Sequence, residues 1–262
     1  MIDNNDFRTF LRDLYKKDPC EVLPNAIWKT DDRLNNLQCS YICIDNELVN
    51  LEGWDINGLH IFWNKERKVV QSFRKIMERS NFMIIHNDYF QQICTDGYSL
   101  VKPYFRIKHD NKNILPYSLT NDFYINESCP EKEFSEIADF IGRCYKDLHP
   151  SAETVRSWTS HKVFDNNLWI WIMDKHKNIP VALGIAEFDS SVPEGSLEWI
   201  QVLPEYQGRG LGKVLVLELL NRLKGRAEFT TVSGEVDNVT NPERLYRSCG
   251  FSGNDIWWLL RT

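Results

Sequence analysis

From Gln207 to Gly212 the chain reads Gln-Gly-Arg-Gly-Leu-Gly, the stretch whose residue types and spacing point most directly to chemistry. It lies between a strand-like apolar run, Leu197 to Leu203, and a strongly helical run, Lys213 to Leu223. The first amides of a helix lack internal acceptors and face outward at the positive end of its dipole. Glycines remove the Cβ atoms and let backbone approach a bulky anion. Such a turn is an anion site, and a phosphate-bearing cofactor is its expected ligand. The amides of Gly208, Arg209, Gly210, Leu211, Gly212 and Lys213 are the main binding groups. The Arg209 and Lys213 side chains add charge at the edge or are simply solvated cations.

The elements that must hold this loop are legible downstream of a polar break at residues 111–121. Asp122 to Glu127 alternates like a strand. Glu131 to Asp147 carries Phe134, Ile137, Ala138, Ile141 and Cys144 at helical spacing. Ser151 is a helix N-cap for Thr154 to Trp158. Leu168 to Met173 and Val181 to Phe188 form a hairpin, and Ser196 to Leu203 is the next strand. After the loop and its helix come a strand at Glu228 to Val236, a helix at Pro242 to Cys249 stopped by Gly250, and a strand at Asp255 to Leu260. The order β-α-α-β-β-β-α-β-α-β describes an α/β chain with a mixed sheet and helices on both faces.

A chain of 262 residues accommodates one large domain or two ordinary ones, and 42% hydrophobic with 26% charged residues is globular. A formal charge of −6 argues against nonspecific binding to nucleic acid or an anionic membrane. No apolar run is long enough to span a bilayer, and the polar, acidic N-terminus is not a secretory signal. Seven cysteines, an odd number with no CxxC pair, predict reduced thiols, a cytoplasmic location and no metal. His109, His161 and His176 sit in polar surroundings and read as surface residues.

The loop does not fit two common nucleotide sites. A dinucleotide fingerprint follows the first strand and has an acidic residue about twenty positions on; here the loop follows the fourth strand. A Walker loop needs GxxxxGK[ST], which is absent.

Residues 120–262 instead resemble the GCN5-related N-acetyltransferase (GNAT) superfamily. The loop matches its Q/R-x-x-G-x-G/A pattern, Trp199 to Tyr206 its V-x-P-x-aromatic lead-in, and Asn241 to Phe251 (NPERLYRSCGF) its N…LYxxxGF segment. The hairpin before them completes the order. The resemblance implies acetyl-CoA as acyl-donor cosubstrate, with its pyrophosphate on residues 207–213. It also implies a bulge that splays the preceding strand, so that pantetheine pairs with Gln201, Val202 and Leu203. The Val202 amide would then face the thioester oxygen and steady the oxyanion of a tetrahedral intermediate. Tyr246 falls in the family's general-acid position, where a phenol can protonate the departing thiolate; the alternative is packing against the cofactor. For the base, Glu198 lies four residues before Val202, on the same face by strand alternation. Glu187 and Glu235 are rivals, and a structural role for Glu198 is equally open. Asn241 matches an asparagine that contacts CoA, with Asn238 as rival; both also suit a turn.

Residues 1–115 echo the second half in pattern. Ser40 to Asp45 and Glu47 to Glu52 read as a hairpin, Leu59 to Trp63 as a strand, Glu66 to Glu78 as a helix and Phe82 to His86 as a strand. Phe90 to Tyr98 is similar to the LYRSCGF segment. Where a glycine loop should stand the chain reads Asn64-Lys65-Glu66-Arg67, and Ile93 replaces the tyrosine. This half is a degenerate GNAT-like repeat in a tandem arrangement, or an unrelated α+β domain. The domains are accordingly 1–115 and 120–262, with the second catalytic.

The expected function is transfer of an acetyl group from acetyl-CoA to a primary amine, on a small molecule or a peptide, by a monomer or homodimer. The loop at Leu148 to Ser151, with Trp158 and Trp199, borders the acceptor space implied by the resemblance. Competing readings are an idle CoA-binding or regulatory module and, less in keeping with the acidic balance, a toxin that acetylates charged tRNA.

Overall fold

The computed structural model describes residues 4–145 and 147–262. Its contacts divide it into two compact units. The first comprises Met1–Ile107, Ser233–Glu243 and Gly253–Thr262; the second comprises Lys108–Val232 and Arg244–Ser252. The boundary therefore falls earlier than the 115–120 break, and two late segments group with the first unit.

In chain order the first part contains α1 (Asn4–Lys17), α2 (Pro19–Val22), α3 (Ile27–Leu34), β1 (Gln38–Ile44), β2 (Glu47–Trp54), β3 (Gly58–Asn64), α4 (Gln71–Met77), β4 (Phe82–His86), α5 (Asn87–Phe90) and β5 (Leu100–His109). There follow β6 (Phe123–Glu127), α6 (Pro130–Cys144), α7 (Ala152–Trp158), β7 (Trp169–Asp174), β8 (Ile179–Asp189), β9 (Glu194–Val202), α8 (Leu211–Leu223), β10 (Phe229–Glu235), α9 (Pro242–Ser248) and β11 (Ser252–Arg261). Every element expected after residue 120 is present in the expected order. Ser151 caps α7 as its sequence predicts, its Oγ accepting from the Thr154 amide at 3.0 Å.

In the second unit β7, β8 and β9 form an antiparallel meander, with β6 antiparallel to β7. Helix α8 is the crossover that makes β10 parallel to β9. It packs over β8 at Gly184, where a Cβ would lie 3.1 Å from Leu215 and 3.2 Å from Leu219. Val214, Leu215, Val216, Leu217, Leu219, Leu220 and Leu223 are buried. Burying each such side chain contributes roughly 1.5–3 kcal/mol, so the helix is anchored by its packing and holds the glycine loop at its first turn. On the other face Trp171 packs edge-on to Phe140 of α6 and donates from Nε1 to Glu133 at 2.8 Å.

The first unit repeats this order. β1, β2 and β3 are an antiparallel meander, and β4 lies parallel to β3 after α4. Gly97 and Gly250, each just before the final strand of its half, have φ of +98° and +99°. The chain's last strand, β11, runs antiparallel to β4, with Trp257 opposite His86 and Arg261 opposite Phe82. That long-range pairing is why residues 253–262 belong with the first unit.

Several expectations are corrected here. Helices α1 to α3 and strand β5 have no counterpart in the sequence reading. The helix expected over Glu66 to Glu78 is confined to Gln71–Met77, and α5 ends at Phe90, before the segment compared with LYRSCGF. His109 is 3% exposed, not at the surface: its Nδ1 accepts from the Asn111 amide at 2.9 Å and its ring meets Phe251. His176 is exposed, as expected.

Candidate active site

The glycine loop is held from below by Tyr206. Its hydroxyl donates to Asp174 at 2.9 Å and accepts from Lys177 Nζ at 2.9 Å, and the Arg209 guanidinium lies 4.9 Å over its ring. Gly208 and Gly210 have φ of +76° and +79°, the left-handed region that favours glycine, and a Cβ at either would meet nothing within 4 Å. They are therefore glycines for backbone conformation rather than for want of space. Gly210 caps α8 with no side-chain acceptor. Among the described residues no protein group accepts from the amides of 208–213; the first amide to find a partner is that of Val214, on Gly210 O at 3.2 Å. This is the donor set an anion needs, so the chain fits a CoA pyrophosphate here.

β9 supplies the second part. β10 pairs with it only at Glu194, Gly195 and Ser196, so beyond Ser196 that edge of β9 has no partner strand among the described residues. On the other edge the register with β8 slips: Trp199 stands opposite Ile185 and Leu197 opposite Ala186, leaving Glu198 as an extra residue. The expected bulge is present at Glu198. Because Glu198 is itself the extra residue, strand alternation no longer assigns it a face.

Leu203 donates its amide to Val181 on β8 at 3.0 Å, so Val202, one residue earlier, turns its N–H and C=O to the open edge. Of Gln201, Val202 and Leu203, only Val202 presents its backbone there. Gln201 is buried, and its Nε2 donates to the Tyr145 hydroxyl at 2.8 Å.

Tyr246 on α9 is 8% exposed and stands edge-on to Phe251. Burial raises its proton affinity above the ordinary tyrosine value, and Tyr145, Cys249 and Glu198 are close enough to raise it further. Glu198 is half-buried, and one of its oxygens accepts from Ser196 Oγ at 3.0 Å. The structure thus brings Tyr246 and Glu198 into one electrostatic neighbourhood. Glu187 is buried on β8 opposite Ser196. Glu235 groups with the first unit, paired with Lys102 at 2.7 Å. Asn238 and Asn241 also group there, in a turn where the Asn241 amide donates to Asn238 O at 2.9 Å and Asn241 has φ of +46°. Tyr145 was missed in the sequence; it lies in the segment after α6, and only its contacts mark it.

The corresponding place in the first unit is closed by its own side chains. Asn64 Oδ1 accepts from the amides of Glu66 and Lys68 at 3.1 and 3.2 Å, and Gln92 Oε1 accepts from the Val69 amide at 3.1 Å. At the end of β3 the Tyr89 hydroxyl accepts from the Asn64 amide at 2.8 Å. Its ring packs 4.6 Å from Phe62, which in turn lies 4.6 Å from Phe73. Amides that are bare after β9 are satisfied after β3. Among the described residues no group of histidine, cysteine and carboxylate side chains could hold a metal, and no helix is long and apolar enough to cross a membrane.

Comparison with known proteins agrees with this geometry. Residues 134–251 match the model of the acetyltransferase (GNAT) family. No curated protein matches the sequence. A GCN5-related N-acetyltransferase from Sphaerobacter thermophilus is 14% identical, with a TM-score of 0.64 over 83% of this chain and 78% of that one. A GNAT-family acetyltransferase from Colwellia psychrerythraea is 12% identical, with a TM-score of 0.64 over 98% and 96%. A tandem GNAT protein from the clavulanic acid biosynthesis pathway is 11% identical, with a TM-score of 0.59 over 100% and 95%. The fold is that of the GNAT proteins, and residues 134–251 carry the match to the GNAT acetyltransferase family.

Proposed function

We propose that this protein is an N-acetyltransferase that moves the acetyl group of acetyl-CoA to a primary amine. The observation that carries the reading is the run of bare amides at 208–213 next to an open strand edge to which Val202 turns its backbone. The amides hold the pyrophosphate, with Arg209 and Lys213 adding charge at the rim. Acetyl-CoA supplies the activated acyl group. The Val202 N–H stabilises the oxygen that gains negative charge as the amine attacks. Glu198 takes the ammonium proton through water, and Tyr246 gives its proton to the departing thiolate. A phenol is protonated at neutral pH, as an acid must be, and Tyr246 is buried beside the other proposed groups. Asn241 is a CoA contact only by resemblance. The first-unit counterpart, closed by Asn64, Gln92 and Tyr89, holds no second cofactor. The free cysteines fit a reducing compartment such as the cytoplasm.

The test is thiol release from acetyl-CoA in the presence of a panel of amines. Acetylated amine detected by mass, with equal thiol release, supports the reading. CoA binding without turnover of any amine would leave an idle CoA-binding module.

A further inference from the structure

Three half-exposed or exposed aromatic side chains lie next to the proposed catalytic groups. Trp158 of α7 and Trp199 of β9 are stacked, 5.2 Å between ring centroids at 22°. Tyr145 meets Trp199 edge-on at 6.3 Å. Elsewhere in this unit tryptophans close the core: Trp169 and Trp171 are 0% and 2% exposed. Trp158 and Trp199 are only half-buried, although they are as large and apolar. Keeping such surface in contact with water forgoes the burial that large aromatics otherwise supply, so the stack calls for a reason beyond packing.

Its position supplies one. The register slips at Glu198, the extra residue between Leu197, opposite Ala186, and Trp199, opposite Ile185, so the carboxylate and the indole are neighbours at the bulge. Tyr145 is pinned by Gln201, two residues beyond Trp199. Tyr145 and Glu198 also lie within electrostatic reach of Tyr246. One constellation therefore contains an acid, a carboxylate and an aromatic wall. A carboxylate attracts an ammonium, while the wall favours a flat, apolar body or a cation over a ring face.

Resting on the acetyltransferase reading, we propose that the acceptor is a primary ammonium carried on an aromatic body: the ammonium meets Glu198, and the body lies against Trp199 and Trp158. A short hydroxylated amine has no flat apolar body to lay against the two indoles.

The experiment compares phenethylamine and tryptamine with ethanolamine and glucosamine as acceptors, in the full-length protein and in Trp199→Ala and Trp199→Phe. Calorimetric binding of N,N-dimethylphenethylamine, which cannot form a stable amide, gives a readout independent of turnover. The aryl amines should exceed the polar ones in kcat/KM by about 10-fold or more. Trp199→Ala should remove most of that ratio, chiefly through KM, and Trp199→Phe should restore it. The dimethyl compound should bind Trp199→Ala about 10-fold more weakly, the loss expected for one aromatic contact of about 1.4 kcal/mol. Acetyl-CoA affinity of each variant checks that it folds. Turnover with no aryl preference, or a preference that survives Trp199→Ala, overturns the inference while the transferase reading stands. Trp199-dependent binding of the dimethyl compound without turnover of any amine supports the aromatic site and overturns the transferase reading.

Discussion

Gln207 Nε2 donates to the Val202 carbonyl at 3.2 Å, so one side chain ties the glycine loop to the open edge of β9. The phosphate cradle and the strand edge are held in register by that bond and by the Tyr206 anchor beneath it.

Gln207→Ala removes the tie but leaves the amides in place. An exposed neutral hydrogen bond contributes about 0.5–1.5 kcal/mol, so acetyl-CoA affinity should fall by no more than about 10-fold. Isothermal titration measures it; complete loss of binding would mean that Gln207 is itself a principal ligand.

Tyr246→Phe tests the acid. The substitution keeps the ring against Phe251 and removes only the hydroxyl. Turnover should fall by about 10²–10⁴, with acetyl-CoA affinity changed little. An unaltered kcat would leave Tyr246 as a packing residue.

Alkaline stability follows from buried phenols. Burial raises the proton affinity of Tyr246 and Tyr89, and that of Tyr117 to about 12. In the unfolded chain the same groups ionise near about 10. Above that pH the unfolded state sheds protons that the folded state keeps, so stability falls as pH rises until the folded phenols ionise as well. Urea midpoints measured between pH 8 and 11 should therefore decline, and less steeply in Tyr246→Phe. Equal slopes would indicate that Tyr246 ionises normally in the folded chain.

Gly58→Ala probes the first unit. A Cβ there would lie 1.7 Å from the Phe82 carbonyl oxygen, where β3 meets β4. Backbone must move to admit it, at a cost of about 1–3 kcal/mol or more. Denaturant unfolding should show the loss; a wild-type midpoint would mean that β3 and β4 do not approach as described.

How far the sequence could be read depended on the range of the interactions involved. The elements after residue 120 are set by local periodicity, caps and glycines, and they were legible. So was the loop, whose function lies in its backbone. Strand alternation placed Glu198 on the face of Val202, but Glu198 is itself the extra residue in β9, where alternation assigns no face; a bulge changes register without any local sign in residue type. The exchange of β11 to the first unit, pairing residues 82–86 with 257–261, is a contact of long sequence separation that no local pattern encodes. His109 looked exposed because Asp110 and Lys112 flank it, but its ring is turned inward by Asn111. Helix α1 has a readable apolar spacing in Phe7, Leu11 and Tyr15, all buried.

The central claim is that one phosphate cradle, at residues 208–213, binds CoA. Calorimetric titration of CoA into the protein and into Gly210→Asp tests it most directly. The variant forces a side chain onto φ of +79° and places a carboxylate beside the pyrophosphate. The account predicts one CoA per chain in the wild type and none in the variant, with the variant still folded by circular dichroism. Two CoA per chain, or undiminished affinity in folded Gly210→Asp, would contradict it.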